Sequence, residues 1–246
     1  MYQRAEPSFL VVIPSIRQNR EGFKDVQKRV EATFRFETEY HLLDGREGKA
    51  ATLNQAFDDL LSVSHHDYYV TMDDDYVPGN NWQEMIDLAF HDLPELGAAS
   101  CWVGDDPELQ ELIGAYRLDT PRKTKHIEWR KVQRGHHIAG ALIAYKTSVA
   151  RQCGKQPITQ EKYQVWEDAW RGRRVQSLGY DLGFITCDLP EFIWYEDPPE
   201  YIKWREDQVI RSRKNQDEML KLSGISDPWH LQLRRKIAKL RGRSPD

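Results

Sequence analysis

Three aspartates in a row, Asp73, Asp74 and Asp75, follow directly on the apolar run Tyr68–Met72 in the stretch "HHDYYVTMDDDYVPGNNW". The run has the aromatic and β-branched make-up of a strand. The acids therefore fall at a strand end, where they repel one another and serve no packing need. Strand alternation sends Asp73 and Asp75 to one side and Asp74 to the other. Two carboxylates on one side can hold Mg²⁺ or Mn²⁺, and such an ion can carry a diphosphate. A metal, a set of basic side chains or water must offset the repulsion. The plainer reading of an isolated triplet is a solvated turn, because "VPGNNW" directly after it is one.

A second acidic pair, Glu167 and Asp168, stands between Trp166 and Trp170 in "VWEDAW". Neighbouring residues on a helix face about 100° apart, so the spacing predicts separate tasks for the two carboxyls. A carboxyl desolvated beside a tryptophan rises in pKa and suits a general base. Alternatively, the two acids complement a helix N-terminus. The stretch "LLDGREGKAATLNQAF" offers Asp44 at a strand end, Gly45 and Gly48 for close backbone approach, and Lys49 at a helix start suited to phosphate. It is not a P-loop, which needs Gly at Leu43 and Ser or Thr at Ala50. His136 and His137 in "RGHHIAG" can bind metal or a proton, or simply lead into a strand.

The elements that must position these groups alternate along the first hundred residues. Strands are expected at 9–14, 37–43, 68–72 and 97–103, and helices at 21–34, 49–61 and 81–93. Such alternation builds a parallel sheet with helices on both faces. Ligands of these sheets bind beyond the carboxyl ends of the strands. Pro14, Ser15, Asp44 and the aspartate triplet all fall at those ends, and that coincidence favours a site over a bare turn. From 104 to 133 the pattern lapses into a loop or a small inserted layer. A strand and a short helix follow in "HHIAGALIAYKTSVARQCG", then a helix over 161–178 stopped by Gly179, then another strand. Beyond about Pro198 the chain reads as helical and highly charged.

A chain of 246 residues, 39% hydrophobic and 30% charged, suits one large α/β domain or two small ones. Its net charge of −4 argues against nucleic acid as the main partner. Three cysteines without metal-type spacing suit a reduced, cytoplasmic protein. No apolar run approaches the ~18 residues of a spanning helix, and "FLVVIPSI" is too short for a signal peptide and is broken by Pro14. Near the C-terminus, Leu231, Leu233, Ile237 and Leu240 interleave with Arg234, Arg235, Lys236, Lys239 and Arg241. This predicts a basic helix from about Asp227 that packs on the domain or makes peripheral contact with a membrane.

Taken in order, these segments resemble GT-A fold glycosyltransferases of the family 2 kind. "FLVVIPSI" is similar to that family's first strand, "LLDG" to the end of its second, and "GKAATLNQAF" to its "GKAxALNxA" helix. "VTMDDDYVPGNNW" resembles its "DxD" strand end, and "WEDAWRGRRVQSLGYDLGFI" its "ED…R…G" helix. The resemblance covers about residues 8–196. It implies a Rossmann-like, mostly parallel α/β sheet in a catalytic domain over 1–197, with a nucleotide half (1–103), an acceptor half (104–197) and a helical extension (198–246). It implies an inverting transfer, assisted by Mn²⁺ or Mg²⁺, from a nucleotide sugar, by family habit a UDP-sugar, to an acceptor hydroxyl. That acceptor is a glycan, a lipid carrier, a small molecule or a modified base.

By position, Asp44 would meet the base and Lys49 the nucleotide, with Pro14, Ser15 and Asp74 lining the donor site. Asp73 would reach the ribose or the metal, and Asp75 the metal. Asp168 would deprotonate the acceptor, while Glu167 bonds the acceptor or braces the loop, and Trp166 or Trp170 holds the acceptor. Where many relatives carry a histidine near the metal, "FIWYEDPPEYIKW" offers Glu196 and Asp197, and His136 and His137 are further candidates for the acceptor or metal shell. The loop "SIRQNREGF" departs from the usual Asn-Arg turn. Two other readings stay open. One is a non-catalytic nucleotide- or sugar-binding module of the same fold. The other is a haloacid-dehalogenase-like phosphatase with Asp73 as nucleophile, which leaves Glu167 and Asp168 without a task.

Overall fold

β1 (Ser8–Ser15) is the keystone of the sheet, because apolar residues fill consecutive positions along it and both its faces are covered. A strand buried on both faces needs parallel neighbours with helices packed above and below. β2 (Glu37–Asp44) and β3 (Tyr68–Met72) flank it, both parallel. Alternation then divides its side chains. Phe9, Val11 and Ile13 join a core with Val26 and Val30 of α1 (Phe23–Glu31) and Trp82, Ile86 and Phe90 of α3 (Trp82–Asp92). Leu10 and Val12 join another with Leu53 and Ala56 of α2 (Lys49–Ala56), which a π-helical turn (Phe57–Leu61) extends. Val149 and Ala150 of α4 (Thr147–Cys153) and Val175 of α5 (Glu167–Ser177) complete that second core.

The computed structural model describes residues 5–102, 118–138, 141–158, 167–197, 199 and 201–203. The expected first turns of the 161–178 helix, with Trp166, and most of the C-terminal extension lie outside these residues. Among the described residues, no helix is long and apolar enough to cross a membrane.

Eight of the ten described strands form one sheet in the order β2-β1-β3-β8-β5-β9-β7-β6. β5 (Leu96–Trp102) and β9 (Asp181–Thr186) are parallel partners. β8 (Leu142–Lys146) lies between β3 and β5 and runs against both. This modifies the expected run of four neighbouring parallel strands: β5 does not touch β3, and the sheet is mixed. Hydrophobic pattern sets where strands are, whereas β8 is brought in from far along the chain. The segment expected as a loop or inserted layer contributes β6 (Arg122–Lys123) and β7 (Glu128–Lys131), a hairpin that continues the same sheet past β9. Exposed Arg122 and Lys123 put charge on the outermost strand, which discourages edge-to-edge pairing.

Because α1 and α2 lie on opposite faces, the winding of the chain reverses between β1 and β3. That reversal opens a crevice at the carboxyl ends of these two strands. A strap after β9 crosses the turn that follows the aspartates. β10 (Glu191–Phe192) pairs antiparallel with β4 (Tyr76–Val77). The Asn81 amide donates to Asp188 Oδ1 at 3.0 Å, and Asp188 N–H donates to Asn81 Oδ1 at 2.8 Å. Gly79 permits this crossing, since a Cβ there would lie 2.2 Å from the Asp188 carbonyl oxygen. Gly79→Ala is therefore expected to lower stability by about 1–3 kcal/mol, the usual cost of forced overpacking. A shift in the urea unfolding midpoint measures it, and an unchanged midpoint would mean the strap does not press on this turn.

Candidate active site

Each aspartate of the triplet meets a cation, Lys49 for the first and Arg17 for the other two. Asp73 extends β3, its N–H donating to the Ala141 carbonyl at 2.9 Å, and its carboxylate meets Lys49 Nζ at 2.8 Å. Asp74 turns inward and is buried, accepting from Ser15 Oγ at 2.5 Å and pairing with Arg17. Asp75 stays on the open side, with Oδ2 3.2 Å from Arg17 Nη1 and its carbonyl accepting from Ile193 N–H at 2.7 Å. β3 ends at Met72 and Asp74 and Asp75 lie in a turn, so strand alternation does not govern the triplet: Asp74 and Asp75 share Arg17, and Asp73 turns to Lys49. The repulsion is met by basic side chains, of which the sequence reading had named only Lys49.

Arg17 is the missed residue. It lies two positions past the end of β1, and its N–H donates to Ser15 Oγ at 3.0 Å. Its guanidinium also reaches Asp197 on the strap, from Nε at 3.0 Å and Nη2 at 2.6 Å, and lies 5.7 Å from the Tyr195 ring centroid. Burial works against its charge, but Asp74, Asp197 and Asp75 outweigh burial and raise its pKa. The signal available in the sequence was position: Arg17 follows the same strand end that singled out Pro14 and Ser15.

Lys49 joins the two acidic sets. Its Nζ lies 2.8 Å from Asp73, 3.1 Å from Glu167 and 3.9 Å from Asp168. Glu167 and Asp168, expected to face apart on the helix, thus meet at one cation. The first turn of α5 points at Lys49, so both carboxylates straddle one ammonium. Burial opposes the Lys49 charge, yet Asp168, Asp73 and Glu167 hold its pKa well above the ordinary lysine range. Burial pushes Asp168 up to about 7, opposed by Lys49 and assisted by Glu167 and Asp73. Burial and the Asp73 charge push Asp75 up to about 6.

The remaining candidates separate from this centre to different degrees. Asp44 ends β2 exposed and is chelated by Arg46, whose Nε lies 2.8 Å from Oδ2, so its pKa falls to about 2. Gly45 N–H donates to the Ser15 carbonyl at 2.8 Å, which ties the end of β2 to that of β1. Trp170, expected to hold an acceptor, is only 4% exposed and belongs to the interior, so its ring is closed to a ligand. His137 packs on α5, where a Cβ at Gly172 would meet its Cβ at 2.9 Å. Burial, with Arg173 and His136 nearby, lowers its pKa to about 4 and keeps it neutral. Glu196 is exposed.

Six carboxylates, from Asp73, Asp74, Asp75, Glu167, Asp168 and Asp197, thus gather around Arg17 and Lys49. Such a crevice cannot accept a polyphosphate without added positive charge. Among the described residues no group of three or more His, Cys, Asp and Glu side chains forms a metal cage. A divalent ion that carries a diphosphate needs only one or two carboxylates, with phosphate oxygens and water filling the rest of its shell. Asp73 and Asp75 fit that requirement.

Comparison with solved structures identifies the architecture. A mannosyltransferase from Pyrobaculum calidifontis, determined with GDP-mannose and Mn²⁺, superposes with a TM-score of 0.55 at 15% identity. The match covers 91% of this chain and 66% of that one. The fold is that of GT-A glycosyltransferases. Two more distant likenesses, each at a TM-score of 0.47 and 15% identity, are the catalytic domain of Drosophila β1,4-galactosyltransferase 7 with xylobiose and protein A197 from STIV. The first covers 77% of this chain and 71% of its own, the second 78% and 96%. No protein-family model matches the sequence, and neither does any curated protein.

The Asp168 shift has a consequence for stability. Its folded pKa of about 7 exceeds the ordinary 3.8, so between these values the folded chain holds a proton that the unfolded chain has released. Stability therefore falls as pH rises through that window. Asp168→Asn is expected to melt level with the wild type near pH 4 and above it beyond pH 7, in thermal melts across pH. A wild-type chain whose melting temperature rises across the window would contradict the assignment.

Proposed function

We propose that the protein is an inverting glycosyltransferase that moves a sugar from a nucleotide-sugar donor to an acceptor hydroxyl. The observation that carries the reading is the Lys49 bridge between Asp73, at the end of β3, and the Glu167–Asp168 pair, at the start of α5. Direct displacement at a sugar carbon asks for charge neutralisation at the leaving diphosphate and for a base on the opposite side. The crevice has acids for both tasks on separate elements. The Pyrobaculum enzyme of the same fold was determined with a nucleotide sugar and Mn²⁺, which supports the choice of donor class. The phosphatase alternative would require a different fold.

In the reaction, an Asp168 oxygen takes the acceptor's O–H proton while the acceptor oxygen bonds the anomeric carbon. The bond from that carbon to the diphosphate oxygen breaks, and its electrons leave with the nucleoside diphosphate. Raised to about 7, Asp168 has the proton affinity that a base needs near neutral pH. Lys49 holds Asp168 and Glu167 on one side and Asp73 on the other, keeping base and donor acids in fixed relation. Glu167, 3.1 Å from the same ammonium, orients the base or the acceptor. Asp73 and Asp75 would hold Mn²⁺ or Mg²⁺, with Pro14, Ser15 and Asp44 toward the nucleoside. A divalent ion bound there supplies positive charge to the developing diphosphate.

The test is a panel of nucleotide sugars assayed with Mn²⁺, with the product's anomeric configuration read by NMR. Asp168→Asn should lose ~10²–10⁴ in rate while still binding nucleoside diphosphate in a thermal-shift assay. Asp75→Asn should weaken that binding, and EDTA should do the same to the wild type. A product that retains the donor's configuration would sink the Asp168 role. Equal binding of UDP, GDP and dTDP with EDTA present would sink the metal role.

A further inference from the structure

Arg17 has three carboxylate partners, and they differ in how firmly they hold it. Asp74 is buried and already fixed by Ser15 Oγ at 2.5 Å, and Asp197 is met by both Nε and Nη2, at 3.0 and 2.6 Å. The contact with Asp75 is longer, 3.2 Å, and that side chain is 36% exposed against 6% for Asp74 and 13% for Asp197. The Arg17 side chain is 12% exposed, and its guanidinium lies 5.7 Å from the Tyr195 ring centroid. It is thus anchored by the inward acid and by the strap, and it reaches Asp75 as its loosest partner.

We propose that Arg17 is a built-in counter-ion of the donor site, which holds Asp75 while no donor is present. It yields that carboxylate to a divalent cation and keeps Asp74 and Asp197. The inference rests on the metal-assisted reading above. Guanidinium and divalent cation compete for one carboxylate and repel each other, so Arg17 opposes cation binding even as it stabilises the cation-free protein. A purely bracing role predicts the opposite sign, because Asp75 would lose its orientation without Arg17 and bind the cation less well.

The sign is measured by Mn²⁺ titration of the full chain, with free Mn²⁺ read by electron paramagnetic resonance, alone and with GDP or UDP. Arg17→Gln should melt lower than the wild type in EDTA. It should bind Mn²⁺ roughly fivefold tighter, the weight of one partly exposed ion pair. Arg17→Lys, which keeps the charge but loses the fork that reaches three acids, should fall between the two. Should Arg17→Gln not fold, Arg17→Lys decides alone: tighter binding supports the proposal, and equal or weaker binding overturns it. Equal or weaker Mn²⁺ binding by a folded Arg17→Gln overturns the counter-ion role and leaves the metal-assisted reading intact. Absence of Mn²⁺ binding in wild type and variants alike, with nucleoside diphosphate present, overturns both.

Discussion

A crevice with this much negative charge can exist in a folded protein only if its few cations are in the right places. The rest of the site follows from that constraint. Arg17 comes from the loop after β1 and Lys49 from the first residue of α2, after the neighbouring β2, and each touches three acids drawn from distant parts of the chain. Isolated exposed ion pairs contribute little, but these cations are largely shielded from water. Removing either cation would leave acids held together with nothing between them, which costs more than the pair itself contributes. The same two residues divide the acids by place, with the α5 pair on Lys49 and the strap acid on Arg17.

The sheet makes this division possible. Parallel β1 and β3 point their carboxyl ends the same way, and the change of winding between them leaves that end uncovered. β8 then matters for a reason that pattern alone does not give. Running against β3, it leads in from Ala141, whose carbonyl receives the Asp73 N–H at 2.9 Å. The backbone of the first aspartate is therefore tied to the strand beside it one residue past the end of β3, with its carboxylate 2.8 Å from Lys49 Nζ.

Local pattern made most of the elements legible. Tyr68–Met72 is a strand with the expected bounds, and the helix expected over 81–93 forms at Trp82–Asp92. Those signals are periodicities within a few turns of chain. Neighbour relations were not legible, because the choice of β8 over β5 as the partner of β3 depends on residues more than sixty positions away. Among site residues, the place of the aspartate triplet at the end of β3 followed from the local pattern. The role of Arg17 did not, since a loop arginine carries no periodicity and its partners are named only by the fold. That Glu167 and Asp168 meet at one cation was missed for a related reason. Angular separation on a helix speaks of directions from its axis, and not of a long lysine side chain that reaches the helix end from outside. Trp170 was misjudged because an aromatic near an acid looks the same in sequence whether it lines a cleft or fills a core.

The strap has a bearing on how the protein comes to be made. The Arg17–Asp197 contact joins residues 180 positions apart, and the cover over the Asp75 backbone comes from Ile193. During synthesis the first three strands emerge early and can pair locally, with all three aspartates already present. Their surroundings are finished only when the ribosome has released nearly two hundred residues, since contacts at such separation come late in folding. Until then the nascent chain carries a cluster of acids with half of its final enclosure, exposed to whatever cations the cell supplies. The enclosure of these acids is thus completed only with the strap, a timing set by chain order.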